Sequence, residues 1–337
     1  MKKQVYFLFV LFVLSLPILL AENSEIVRRA FFDIGSGSTK MIVADVHLKT
    51  GAVHILHEEA EKVSYKLDLE MGTSNEFSSS IQEKALLVMA KMKWNAIQKG
   101  AKQFAGIATS AFRSARNGKE FAEFMSKVFH FPIVVISQKE EAILGFIAAV
   151  KDEQAKLENI VVWDIGGGSM QITMLCHDNE YEIFCGDLAS VSFTSYLIEK
   201  VKGLKISQVQ TPNPISQEEY EKGIGYVHSV AKTTNKKIMD KLSQDKTLVL
   251  GIGGVHYYSV CGQIKSGKEY TQDLLKKTLQ KKIGMSDKEI GGKYASTEVS
   301  NLILVLGYMQ ALGIEKVKAK DINIAHGVLL YQALWKQ

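Results

Sequence analysis

The sequence predicts an α/β protein built as two related domains with a cleft between them. Three observations carry that prediction. A phrase recurs: Phe31-Phe32-Asp33-Ile34-Gly35-Ser36-Gly37-Ser38-Thr39-Lys40 is answered 131 positions later by Val162-Trp163-Asp164-Ile165-Gly166-Gly167-Gly168-Ser169-Met170-Gln171. Each phrase is bracketed by β-type apolar runs, 30–34 and 41–46 for the first, 160–163 and 172–175 for the second. Each therefore reads as strand, tight Gly/Ser turn, strand. Finally, 337 residues at 46% hydrophobic and 23% charged are too many for one ordinary core and too apolar for a disordered chain. Hairpins with interspersed helices, given twice, argue for paired α/β domains with a ligand cleft where they meet.

Taken in order, residues 1–21 read as an export signal. Met1-Lys2-Lys3 is a basic start, residues 5–20 are apolar, and Ala21 suits the position before a cut. Uncleaved, the same segment is a marginal membrane anchor with Pro17 near its end. No Cys follows the apolar run, as a lipoprotein signal would need, and no later segment is long and apolar enough to span a bilayer. The expected location is outside the cytoplasm, periplasmic or secreted, either soluble or tethered to a membrane at the N-terminus.

After the first hairpin, residues 53–63 read as a strand and 64–80 as polar and irregular. A helix is expected over 81–99, with Ala85, Leu86, Met89, Met92 and Ile97 on its inner face. There follow a strand at 104–108, a turn region at 109–117, a helix at 118–130, a strand at 132–136 and a helix from Gln138. The second half gives a hairpin around Asp164, a strand at 181–184, helices at 190–200 and 217–239, a strand at 247–251, the turn Gly251-Ile252-Gly253-Gly254, and helices to the C-terminus. The first domain is expected over 26–150 and the second over 151–321, with the last helix, 322–337, packing back onto the first. Trp94, Trp163 and Trp335 read as core or helix-packing residues, and His256 as a packing residue.

The loops carry the chemistry. Glycine lets backbone N–H groups approach an anion, and Ser hydroxyls add donors. Gly35, Ser36, Gly37 and Ser38 form one phosphate cradle, and Gly166, Gly167, Gly168 and Ser169 the other. The alternative for either loop alone is a plain hairpin turn. An Asp ahead of the turn cannot attract phosphate by charge, so Asp33 and Asp164 are read as carboxylates that meet a metal or orient water. Lys40 either touches phosphate or points to solvent. The formal charge of +5 includes Lys2 and Lys3, and is only weakly consistent with an anionic ligand. Basic clusters such as Lys276-Lys277 and Lys281-Lys282 are ordinarily solvated faces; no nucleic-acid partner is expected. An odd cysteine count (Cys176, Cys185, Cys261) without CxxC argues against zinc or redox catalysis, and leaves open whether Cys176 and Cys185 pair.

Four motifs in order resemble the exopolyphosphatase / guanosine pentaphosphate phosphohydrolase (Ppx/GppA) family, within the fold group of actin, sugar kinases and heat-shock chaperone ATPases. They are Asp33-Ile34-Gly35-Ser36-Gly37-Ser38; Ala108-Thr109-Ser110-Ala111-Phe112-Arg113-Ser114-Ala115-Arg116-Asn117-Gly118; Ile136-Ser137-Gln138-Lys139-Glu140-Glu141-Ala142; and Asp164-Ile165-Gly166-Gly167-Gly168-Ser169. The resemblance implies two actin-like (ribonuclease H-like) domains. It implies Glu141 as the catalytic base, Arg113 as a phosphate ligand, and Asp33 and Asp164 on the side of a magnesium ion. Without it, Glu141 is a first-turn glutamate favoured by the helix dipole, a description that suits Glu140 better.

The implied activity is removal of terminal phosphate from inorganic polyphosphate or guanosine pentaphosphate, in a family where homodimers are frequent. The chain departs from the family at Gly37, where Asn is usual, at Ile143, where Arg is common, and at Gln171, where Glu is common. Asp321-Ile322-Asn323-Ile324-Ala325-His326-Gly327 also replaces a more charged stretch. Asp-x-Gly-Gly-x-Ser-x-Gln is the form of this loop in extracellular apyrases, so nucleoside tri- and diphosphates are the alternative substrates. A binder without turnover is the third reading.

Overall fold

The computed structural model describes residues 26–265, 267–322, 324–329 and 332–335, and the export segment expected over residues 1–21 lies outside them. Two mixed sheets organise these residues. The first contains β1 (Ile26–Ile34), β2 (Ser38–His47), β3 (Val53–Lys62), β4 (Gln103–Ala108) and β5 (Ile133–Val135), in the order β3-β2-β1-β4-β5. The second contains β6 (Ile160–Ile165), β7 (Met170–Leu175), β8 (Tyr181–Gly186), β9 (Leu248–Ile252), β10 (Glu269–Thr271) and β11 (Lys316–Ala319), in the order β10-β11-β9-β6-β7-β8. Substituting β6, β7, β8, β9 and β11 for β1 to β5 reproduces the first sheet, and β10 is an added antiparallel edge. In both, the glycine hairpin is antiparallel, Asp33 opposite Lys40 and Asp164 opposite Gln171, while the first strand runs parallel to a later one. This repeated order is the two-domain actin-like (ribonuclease H-like) α/β fold.

The strand sequences explain their places. From Ala30 to Ile34 every apolar residue of β1 is buried, as a central strand covered on both faces requires. β3 alternates half-buried and exposed residues along its length, the pattern of an edge strand with one wet face. Helix Ser79–Gln98 starts on Ser78, whose hydroxyl accepts from the Ile81 N–H, and buries Ile81, Ala85, Met89, Met92 and Ala96 as one stripe. With helix Gly118–Phe129 it covers one face of the first sheet over an aromatic cluster that includes Tyr65, Phe77, Phe112 and Phe121.

The opposite face of that sheet meets the interdomain layer. Helix Gln138–Val150 opens with a reciprocal cap, the Glu140 N–H donating to Ser137 Oγ at 3.2 Å and the Ser137 N–H to Glu140 Oε2 at 2.8 Å. Its inner face is split. Leu144 joins the core of Phe31, Ile42 and Ile107, whereas Phe146 and Ala149 join Ile160, Val162 and Leu250 of the second sheet. The helix expected to close the first domain is therefore shared by both. Helices Ile324–Val328 and Gln332–Trp335 pack against the first sheet, and the Arg29 guanidinium lies 4.6 Å from the centre of the Trp335 ring.

Several elements differ from the sequence reading. Residues 64–80 are not all irregular: Tyr65–Met71 is a helix that buries only Tyr65 and Leu69, too few positions for a periodic signal. The helix expected over 217–239 breaks into Gln217–Ala231 and Lys236–Leu242. Between them Thr234 is buried, and Asn235 Nδ2 donates to Glu182 Oε1 at 2.6 Å, a tertiary contact on β8 that outweighs helix continuation. The region read as helices to the C-terminus contains β10 and β11, strands too short to show alternation. Trp94 is not packed: it is 62% exposed, while Trp163 and Trp335 are buried. Cys176, Cys185 and Cys261 are free thiols; register sets Cys185 opposite Gln171, and Cys176 lies beyond the end of β7.

Candidate active site

The two loops are superposable in their bonding. The Gly35 N–H donates to Ser38 O and the Gly166 N–H to Ser169 O, both at 3.0 Å. The following elements anchor them alike, Lys66 N–H to Ser36 O at 2.9 Å and Val191 N–H to Gly167 O at 2.7 Å. The loops face each other in direct contact. A Cβ added to Gly168 would lie 2.3 Å from Ser36 Oγ and 2.9 Å from Ser110 Oγ, so only glycine fits there. Ser36 is buried and its hydroxyl has no hydrogen-bond partner, which leaves a donor aimed into the seam between the loops.

Glu141 stands one residue past the capping glutamate, which turns it inward while Glu140 stays on the cap. Its carboxylate meets Arg113 at 2.8 Å (Nη1 to Oε2). Oε2, the oxygen in this contact, is buried. Arg113 also donates to Ile136 O at 3.1 Å and to Ser169 Oγ at 3.3 Å. One arginine thus links strand end, helix start and second loop. Burial pushes Glu141 up to about 7; Arg113 opposes the rise, and Asp164 and Asp33 add to it. A carboxyl near neutrality is suited to take a proton from water.

Asp33 and Asp164 close the central strands of the two domains. Burial raises both, Asp164 to about 6, with Lys40 opposing the rise in each. Lys40 Nζ is 4.0 Å from Asp33 Oδ2, so it points over the aspartates rather than into solvent. Gly253, at φ +84°, lets the third glycine turn come close to Asp164; a Cβ there would lie 2.5 Å from Asp164 Oδ1. Among the described residues no three His, Cys, Asp or Glu side chains converge on a metal position.

Gln171, the counterpart of Lys40, is buried and its Nε2 donates to Ser169 Oγ at 3.4 Å. Gln138 was missed by the sequence reading. Its Nε2 donates to Met170 O at 3.2 Å and Gly186 O at 3.1 Å, pinning the start of the Glu141 helix to the second sheet. Ser110 was also missed, since only the fold brings it to Gly168. Other residues fall outside the site. Arg116 is exposed, 3.8 Å from Glu76. Asn117 holds the turn by exchanging bonds with the Phe77 backbone. His256 is buried against Trp163 and Tyr270, and burial lowers it to about 3. Ala325 is in the apolar core.

Residues 42–335 match the description of one family, the Ppx/GppA phosphatases. This chain belongs to the Ppx/GppA family. The first loop lies just ahead of the matched span, and the fold pairs it with the second. A curated relative, exopolyphosphatase 1 of Mycobacterium tuberculosis, is 24% identical over 146 residues, which is 43% of this chain and 42% of that protein. The match therefore spans less than half the length of the relative. Among solved structures, the Ppx/GppA protein of Aquifex aeolicus has a TM-score of 0.68 at 19% identity, covering 91% of this chain and 100% of that one. An exopolyphosphatase from Cytophaga hutchinsonii has a TM-score of 0.68 at 15% identity, covering 91% and 97%. An exopolyphosphatase-like protein has a TM-score of 0.71 at 16% identity, covering 91% and 98%. At these identities the likeness is one of fold, and in this fold Glu141, Arg113 and the second loop come together, with the first loop against the second.

Proposed function

We propose that this chain is a phosphoanhydride hydrolase of exopolyphosphatase type, releasing terminal phosphate from inorganic polyphosphate or guanosine pentaphosphate. The observation that carries the reading is Glu141: a buried carboxyl ion-paired with Arg113 and raised to about 7. In its ionised form Glu141 accepts a proton from the attacking water as the water oxygen bonds to the terminal phosphorus. The bond from that phosphorus to the bridging oxygen breaks, and the shortened chain leaves. Arg113 and the loop N–H groups hold the phosphoryl oxygens as charge spreads over them. Ser36, with its unpartnered hydroxyl, adds a donor in the same seam.

Asp33 and Asp164 offer two buried carboxylates, one from each domain. Such a hard-oxygen pair fits a magnesium ion that completes its shell with waters and substrate phosphate. When bound, the ion supplies positive charge to the phosphate oxygens.

The proposed location is outside the cytoplasm, from the segment 1–21. Gln171 supports a second reading, apyrase-like hydrolysis of nucleoside tri- and diphosphates, because it completes the Asp-x-Gly-Gly-x-Ser-x-Gln form of the loop in a chain with an export-type segment. Phosphate release with magnesium from polyphosphates of several lengths, guanosine pentaphosphate, ATP and ADP separates the two. Faster release from ATP than from polyphosphate favours the second. Tight binding with no release from any of them overturns both and leaves a binder.

A further inference from the structure

The helix-covered flank of the first domain, which runs to the pole opposite the catalytic loops, has an apolar face that the catalytic reading does not use. On helix Ser79–Gln98, Leu87, Trp94 and Ile97 are 66%, 62% and 45% exposed. With the exposed Ala90 between them they fall at spacings of three, four and three, a continuous stripe along the solvent side. On helix Gly118–Phe129, Phe124 and Val128 are also exposed. They lie on the flank away from Ser126, whose hydroxyl bonds the Ile133 backbone on the edge strand, so they face the first helix. Lys93 ties the two helix ends together through Phe129 O at 2.7 Å. Two helices thus present one apolar surface that is exposed among the described residues.

The chain itself says what covers it. β1 begins at this pole: the Arg28 guanidinium donates to Lys99 O at 2.9 Å, directly after helix Ser79–Gln98, and Ile26 is 58% exposed there. The apolar segment 5–20 therefore joins the fold beside Ile97, after a short connection. Along and just after the two helices, the exposed Lys84, Lys91, Lys99, Lys102, Lys119 and Lys127 outnumber the exposed Glu83, Glu120 and Glu123. A Trp and aliphatic side chains rimmed by lysines match the headgroup boundary of an anionic bilayer. Among the described residues no helix is long and apolar enough to cross a membrane, so this face would lie on the surface.

We propose that this flank docks on an anionic membrane, the stripe Leu87–Trp94–Ile97 resting at the headgroup level and the segment 5–20 serving as the tether. The catalytic loops sit at the other end of β1, about 25 Å away by strand rise. This inference is independent of the hydrolase reading, and its readout is not phosphate release.

Trp163 and Trp335 are buried, which makes Trp94 the reporter. Full-length chain is mixed with phosphatidylglycerol–phosphatidylethanolamine vesicles brominated at shallow acyl positions, and with phosphatidylcholine vesicles brominated alike. Quenching of Trp94 emission is expected, at least threefold stronger on the anionic vesicles, and absent in Trp94→Phe. Leu87→Ser with Ile97→Ser, both at exposed positions that tolerate polar residues, is expected to reduce it by a similar factor. Chain that floats with the vesicles while Trp94 stays unquenched overturns the docking, as does chain that fails to float with Trp94 unquenched. A lipid-independent blue shift of Trp94 that grows with protein concentration overturns it in favour of a second copy on this face.

Discussion

Arg113 and Glu141 meet at 2.8 Å, and Arg113 also donates to Ile136 O and Ser169 Oγ. The arginine neutralises the carboxylate at Oε2 while it holds the helix start and the second loop in register. Losing Arg113 would leave the buried Glu141 carboxylate unpaired, and an unpaired buried ion is costly, about 3–5 kcal/mol.

Glu141→Gln removes the proton acceptor and keeps the shape. Phosphate release from polyphosphate is expected to fall by about 10²- to 10⁴-fold, the usual worth of a positioned base, with the thermal midpoint maintained or raised. Unchanged release in a phosphate assay would sink the assignment of Glu141.

Activity should rise with pH through about 7, because Glu141 must be ionised to act. Arg113 lowers the Glu141 value, so Arg113→Met should move this acid limb to higher pH. Arg113→Lys keeps the charge but not the fork; it should keep the limb near its original place with a weakened KM for polyphosphate. Rate profiles from pH 5 to 9 check both.

Stability should run the opposite way. Glu141 ionises near 7 in the folded chain against an ordinary 4.5, and Asp164 near 6 against 3.8. The folded state therefore holds these protons more tightly than the unfolded one. The stabilisation is fully present below the unfolded values and is lost as pH climbs through about 6 and 7. Thermal melts without added metal should show Tm falling between pH 5 and 7.5, and Glu141→Gln should flatten part of that slope.

Gly168→Ala should force the loops apart, since its Cβ would meet Ser36 Oγ at 2.3 Å. Overpacking of this kind costs about 1–3 kcal/mol, and phosphate release should drop severely. Ser36→Gly in the same chain removes the main clash and should restore stability measured by denaturant titration. No recovery would mean that the loops do not touch there.

Gln171→Glu should test why this chain departs from its relatives. A carboxylate beside Ser169 adds negative charge near the Arg113–Glu141 pair and should make Glu141 harder to ionise. The acid limb is then expected to shift to higher pH, and the ratio of ATP to polyphosphate turnover to change. An unchanged ratio would remove Gln171 from substrate choice.

Much of this site was legible because its residues lie in short contiguous phrases. Asp33 to Ser38 and Asp164 to Ser169 declare their turns locally: glycine and serine between two apolar strands have few other conformations. Glu141 was legible by its motif, and its distinction from Glu140 became physical only when the cap engaged Glu140. Gln138, Ser110 and the direction of Lys40 were not legible. Each acts on a group distant in sequence, and a side chain's neighbours across a cleft leave no local mark. The same limit hid β10 and β11, the break at Thr234 and the exposure of Trp94, all of which depend on what the rest of the chain packs against them.

The sequence by itself determined the duplication, the two glycine hairpins and the order of the four motifs, because turn chemistry and strand patterning act over a few residues. Tertiary structure alone decided that the loops face each other, that Arg113 reaches across to the second of them, and that helix Gln138–Val150 belongs to both domains. Those outcomes follow from burial. Removing Glu141, Asp33 and Asp164 together from water is what shifts their ionisation, and only the closed packing of two sheets around one helix brings them together.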